Sequence, residues 1–558
     1  MKYYCNPLNV PYLFETRNTS SEGKVRVHRT AADASLIRFK GRYYIFATAA
    51  LGVWVSDDLV SWERHPLPEG LPVDEAAPDA RVMNGYVYYC FSGRGICDRW
   101  RTKDILNGPY EKISGTFDYW DPNLFADDDG RVYFYWGSSD VTPIWGVELD
   151  PETMIPKGER IALVSAHPDQ IGFERFGEDN PVLPKKGTYM EGVWVDKFGG
   201  KYYLQYAAPG TEFNVYCDGV YVSDKPLGPY VPAGNNPFSY KPGGYFPGAG
   251  HGSTMEDLAG NLWHVSTMRI SVNDLFERRV GLWPAGIDGE GELCCNQRYG
   301  DWPVSVSGEK QDMWRDPEWM LLSSGKKVSA SSFTKGHEPD LASREDVRTW
   351  WQAGSASREE WIKIDLGETF EIHAVQINFA DGAEDILLPG ESAGETWPGG
   401  RFTQWKMEAS SDGVDWFTVC DKSDAETDLS HDLLVSEEGY RARFFRLSDM
   451  AVPFGRRPCI SGLRVFGRGD GPAPKVPTFK AVRTGDLDME VTITGQDDAT
   501  GYNILFGASE DKLYHSWMVF NPGTLRIGAL MKGRKYAVRV DAFNENGITE
   551  GKVLKELV

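Results

Sequence analysis

The sequence predicts an all-β chain in which a five-bladed β-propeller precedes two smaller strand-rich domains. Three observations predict it. A turn glycine, two residues and then an aromatic recur five times in the first three hundred residues. Strand-like runs alternate with turns and show no helical periodicity. Composition shifts near residues 321 and 474. The repeats read GRYYIF from Gly41, GYVYYCF from Gly85, GRVYFYW from Gly130, GKYYLQY from Gly200 and GNLWHV from Gly260. Their aromatics are Tyr44, Tyr88, Tyr133, Tyr203 and Trp263, and spacings of 44 to 70 residues suit one antiparallel sheet per repeat. Five such sheets set radially make the propeller.

At 558 residues the chain is long enough for two to four domains. Net charge −22 sets it against phosphate backbones, so no nucleic-acid partner is expected. Nineteen Trp and 26 Tyr exceed what packing alone requires and suit a neutral ligand with apolar faces, such as a sugar. No run of eighteen apolar residues exists, so no membrane span is expected. The opening MKYYCNPLNVPYLFE lacks the apolar stretch of a leader. With Met1 as the native start the chain is cytoplasmic; a secreted chain trimmed of its leader would read the same. The eight cysteines show no zinc spacing and read as free buried thiols.

In a propeller the first strand of each blade lines the axis, where function collects. Eight or nine residues before the repeat glycine stand Asp33, Asp121, Glu191 and His251; the second repeat offers only Ala76 and Ala77. Three carboxylates in one register supply what glycosidic cleavage needs: an acid for the leaving oxygen and a base for water. Glu191, among Tyr189, Met190, Val193 and Trp194, has the more apolar surroundings and suits the acid. Asp33, among small residues in TAADASL, leaves room for a water and suits the base, and Asp121, stiffened by Pro122, suits a modulator of the acid. The run DDDG at 127–130 lacks the ligand spacing of a calcium loop and reads as a hairpin turn. Glu174 and Glu178 stand as fallback acids.

The early Asp, DPNLFADDDGRVYFYWG, EGVWV, GAGHGS at 248–253, SDDLVSW at 56–62 and KPLGPY at 225–230 together resemble glycoside hydrolase family 43. The resemblance covers roughly residues 1–305 and implies a five-bladed propeller with an inverting mechanism, acid and base about 6.5–9.5 Å apart. It implies Asp33 as base, Asp121 as pKa modulator and Glu191 as acid. It further implies a role on the axis for His251, beside a structural calcium in the channel or on the substrate, and an arginine reaching in from the last blade, matched to Arg279 in FERRVGLWP with the adjacent Arg278 one residue away as the alternative. No catalytic cofactor is implied. Trp54, Trp120 and Trp194, near the carboxylates in sequence, are candidates to stack on a sugar ring. The expected activity is exo-acting removal of terminal α-L-arabinofuranosyl or β-D-xylosyl units from oligosaccharides. A β-D-galactofuranosidase of the same mechanism and a glycan-binding propeller without catalysis are the alternatives.

Residues 306–320 read as a linker. Residues 321–468, with WIKIDLG, SSDGVDW and ISGLRVFG, resemble a discoidin (coagulation factor 5/8 type C) domain, which implies a jelly-roll β-sandwich that binds a glycan or braces the propeller. After the Pro-rich GPAPKVPTF, residues 474–558 resemble fibronectin type III through YAVRVDAFNENG, and a spacer role is expected.

Overall fold

The computed structural model describes residues 1–18, 24–93, 95–181, 187–387, 396–397 and 401–557. Among these residues the only helical segments are three short 3₁₀ turns, Gly172–Glu174, Pro339–Ser343 and Pro453–Gly455. Five four-stranded antiparallel sheets succeed one another over residues 32–65, 76–113, 123–164, 191–232 and 250–295, each with its strands in sequence order. These are the blades. The five repeat glycines lie in the hairpin joining the first two strands of each blade, at φ between +76° and +84°. In blades one, two and four the preceding Lys40, Asn84 or Gly199 also has positive φ, which makes the two-residue turn whose twist matches paired strands. The repeat aromatics open the second strand and are all buried between blades.

The ring is tied by side chains of the innermost strands. Ser35 donates to the Pro78 carbonyl (2.8 Å), the Leu124 amide to Asp79 (2.8 Å), and the Val195 amide to Asn123 (2.9 Å). Thr254 donates to Gln205 (2.9 Å), and Ser253 to the Ala34 carbonyl (2.8 Å), which closes blade five on blade one. The N-terminal segment staples the last blade: Lys2–Tyr4 pairs antiparallel with Val304–Val306, and Asn6 bonds the backbone of Leu282 on both sides. The expected propeller boundary at 305 thus falls inside a strand pair.

The second domain is a β-sandwich built on two long strands, Ile362–Phe379 and His431–Ala451, around a core that includes Trp351, Trp405, Ile377 and Val465. In the third, a three-stranded sheet (Thr478–Arg483, Met489–Thr494, Gly523–Ile527) packs on a second sheet centred on Gly501–Gly507 and Tyr536–Asn544. This last domain is not a spacer. Its Phe506, Trp517 and Leu530 share one apolar cluster with Ile171, Phe173 and Tyr240 of the propeller, and Arg175 pairs with Asp488 at 2.7 Å across the joint. All eight cysteines are free, seven of them buried.

Candidate active site

At one end of the axis the innermost strands surround an open pocket of about 750 Å³. Asp33, Asp121, Glu191, His251 and Arg278 line its floor, with Trp120, Tyr189 and Phe276 among its walls. One backbone device delivers four of these groups. Where each innermost strand begins, one residue turns left-handed: Asp33 (φ 56°), Ala77 (48°), Asp121 (49°), Gly192 (63°) and His251 (51°). Pairing shifts register there in blades one, two, four and five, as at a β-bulge. A non-glycine residue at positive φ costs about 1–2 kcal/mol, and four such residues in one ring mark a place where side-chain aim outweighs backbone ease. The common register expected from sequence is refined here by one position. In blade four the left-handed residue is Gly192, and Glu191 precedes it. A Cβ on Gly192 would stand 2.6 Å from the His251 ring, so the glycine admits the imidazole.

The three carboxyl groups occupy different surroundings. Asp33 accepts from Thr48 Oγ1 (2.8 Å) and faces Arg278 Nη1 and His251 Nδ1, each at 3.3 Å. Burial opposes its charge, but Arg278, His251 and Thr48 outweigh burial and hold it below the ordinary value. Glu191 accepts from the Tyr216 hydroxyl (2.6 Å) and lies 3.4 Å from Ser138 Oγ. Burial first, then the charge of Asp121, push it up to about 7, against the pull of His251 and Tyr216. Asp121 accepts from Ser92 Oγ (3.1 Å) and the Gly192 amide (3.3 Å); burial raises it, His251 opposes, and Asp33 raises it further. Burial would lower the His251 pKa, but the charges of Asp33, Asp121, Glu191 and Asp218 raise it.

The remaining sequence candidates divide. Trp120 is 46% exposed at the pocket wall, placed to meet a ligand. Trp54 is fully buried against Tyr12, and Trp194 is buried under the Arg81 guanidinium with Nε1 donating to Asp196; both are blade core. Arg279 does not reach the pocket. Strand alternation sends it the other way, to Asp381 and His431 of the second domain, and Arg278 takes the place expected of it. Glu174 bonds Tyr206 inside blade four and Glu178 pairs with Arg269, so neither fallback acid lines the pocket. Tyr216, Thr48, Ser92 and Ser138 had no sequence signal, because each reaches the carboxylates from a separate strand or loop.

A cation at His251 would find one imidazole nitrogen and carboxylate oxygens of Asp121 and Glu191 within 4.8 Å of one another. That set fits calcium poorly. The ion takes six to eight oxygens, whereas here one of the three donors is a nitrogen and one carboxyl is biased toward holding a proton.

Fold and pocket together define a class: five-bladed propellers with an acidic site at one end of the axis. Residues 25–287 match the model of Glycosyl hydrolases family 43 and residues 327–453 that of the F5/8 type C domain, so the chain carries a family 43 propeller followed by an F5/8 type C domain. Among curated relatives, xylosidase/arabinosidase 43A of Humicola insolens is 29% identical over 28% of this chain and 57% of its own length. Beta-D-galactofuranosidase xynD of Aspergillus niger is 24% identical over 36% of this chain and 62% of its own. The chain thus spans less than two thirds of either relative. A solved structure, the GH43 BlXynB protein from Bacillus licheniformis, is 15% identical, covers 100% of this chain and 91% of its own, and gives a TM-score of 0.42.

Proposed function

We propose that the chain is an inverting, exo-acting glycosidase that removes terminal α-L-arabinofuranosyl or β-D-xylosyl units from oligosaccharides. The observation that carries this reading is the division of labour in one pocket. Asp33, paired with Arg278 and His251, is kept ionised, while Glu191, buried beside Asp121, is kept protonated. In the proposed reaction Glu191 gives its proton to the glycosidic oxygen as the bond to the anomeric carbon breaks. Asp33 takes a proton from water, whose oxygen attacks that carbon from the opposite face, so configuration inverts. Asp121 keeps the acid protonated between turnovers by its charge and anchors the Gly192 amide. Trp120 offers a face for a sugar, and the F5/8 type C domain is a second candidate glycan contact.

Nitrophenyl α-L-arabinofuranoside, β-D-xyloside and β-D-galactofuranoside, assayed side by side with Glu191→Gln as control, test the reading. Turnover of either pentoside by the wild type, with an inverted product anomer by NMR, is expected, and Glu191→Gln is expected to lose turnover of an unactivated oligosaccharide, whose poor leaving group needs the acid. Preference for the galactofuranoside would move the substrate to the sugar named for the Aspergillus relative. Wild-type turnover by Glu191→Gln on an unactivated oligosaccharide would remove Glu191 as the acid.

A further inference from the structure

We infer that Asp381 of the F5/8 type C domain is a positioning residue for the propeller's pocket: it locks the strand Lys24–Thr30, which leads directly into the strand of Asp33, to the strand that bears Arg278. The inference rests on the reading above only for its kinetic consequence.

Asp381 is fully buried at the joint between the domains and gathers three guanidinium groups. Arg29 donates to it through its amide (2.8 Å) and its side chain, Arg279 through Nη2 (3.2 Å) and Arg456 through Nη2 (3.2 Å). Arg29 and Arg279 belong to the propeller and stand next to the pocket in sequence. Arg29 lies four residues before Asp33, and Arg279 directly follows Arg278. The two segments are also tied to each other. Arg279 Nη1 donates to the Arg29 carbonyl, the Arg278 amide to Thr30 Oγ1 (3.2 Å), and the Ala31 amide to the Arg278 carbonyl (3.2 Å). Asp428, also of the second domain, holds the remaining edge of Arg29 at 2.8 Å, and neutral His431 accepts from Arg279 Nε at 3.0 Å.

Neighbouring side chains on a strand point to opposite faces, so anchoring Arg279 outward fixes how Arg278 points inward. Arg278 reaches Asp33 at 3.3 Å, and small displacements there matter. The same domain also braces the pocket wall from behind. Its Asp385–Leu387 and Thr396–Trp397 flank the hairpin of Leu13–Asn18 and Lys24–Thr30 in one four-stranded sheet, and Glu15 of that hairpin lines the pocket. Two attachments, a side-chain cluster and a shared sheet, therefore run from the second domain to one side of the pocket, both through the strand Lys24–Thr30.

The test uses the full chain with Asp381→Asn, and with Asp381→Glu to restore the charge. In a folded Asp381→Asn variant, crystal structures are expected to show the Arg278–Asp33 contact opened beyond hydrogen-bond reach. On the best pentoside of the panel, kcat is expected to fall about 10- to 100-fold with KM little changed, since a misplaced group loses rate before affinity. Recovery of kcat by Asp381→Glu would separate positioning from bulk packing. Should Asp381→Asn fail to fold, Arg279→Lys keeps the charge, loses the fork and is expected to give the same split. An intact contact and wild-type kcat in a folded variant would overturn the inference. A wild-type chain inactive on all three glycosides would overturn the functional reading instead, and the contact in the two crystal structures would still decide the positioning role.

Discussion

At the scale of single residues, Glu191 and Asp33 are expected to set the pH window of the proposed reaction. Asp33 is held below the ordinary carboxylate value, so the proposed base is ionised through the whole weakly acidic range. Glu191, raised first by burial and then by the charge of Asp121, gives up its proton at about 7. The proposed activity should therefore plateau in mildly acidic solution and fall as pH rises through about 7, measured as kcat/KM against pH. Asp121→Asn removes the charge that raises Glu191, so the alkaline limb should move to lower pH. Glu191→Gln should cost about 10²- to 10⁴-fold in kcat on unactivated substrates, the usual worth of a positioned general acid. The three carboxylates were readable from sequence because their offset from a turn glycine is a local property. Arg278 was not. Two adjacent arginines point to opposite faces, and only the fold says which face is the pocket.

The left-handed turn at the head of each innermost strand belongs to the scale of the element. It aims Asp33, Asp121 and His251 across the strand direction, and in blade four it falls on glycine so that the imidazole can occupy the space a Cβ would take. Gly192→Ala puts an L-residue at φ +63° and a methyl into the His251 ring. About 1–2 kcal/mol of backbone strain is expected, seen as a lower Tm, together with a drop in kcat as His251 is pushed off Asp33. An unchanged kcat would show that the imidazole's place is not critical. The repeat glycines and buried aromatics were legible because hairpin turns write their own chemistry into sequence. The one-residue offset of Glu191 was hidden, since a bulge changes which side chain faces the axis without changing composition.

The whole molecule is a propeller clasped by the two domains that follow it. Burial works against the charge of Asp381, but Arg29, Arg456 and Arg279 outweigh it and hold the carboxyl well below the ordinary value of 3.8. A depressed carboxylate stabilises above its unfolded pKa and loses that contribution as pH falls toward the folded one. Calorimetry should show a Tm that declines on acidification below about pH 4, and Asp381→Asn should flatten that decline. At neutral pH the substitution strands buried guanidinium charge and should cost about 3–5 kcal/mol. None of this clasp was legible from sequence: Asp381 stands 352 residues from Arg29 and carries no motif. The spacer expected at the C-terminus failed for a related reason, because Phe506, Trp517 and Leu530 read equally as the core of an isolated sandwich and as half of a shared one.

The shared apolar joint has a consequence for the order in which a growing chain matures. A polypeptide that has left the ribosome only as far as residue 305 already holds every acidic group of the pocket. It still lacks Asp381, and it presents Ile171, Phe173 and Tyr240 to water without the aromatic faces that later cover them. Such a fragment exposes an apolar face, so stop codons placed between residues 305 and 474 should yield insoluble protein. A chain stopped after the second domain would carry Asp381 yet still leave that apolar face of the propeller uncovered until the third domain packs on it.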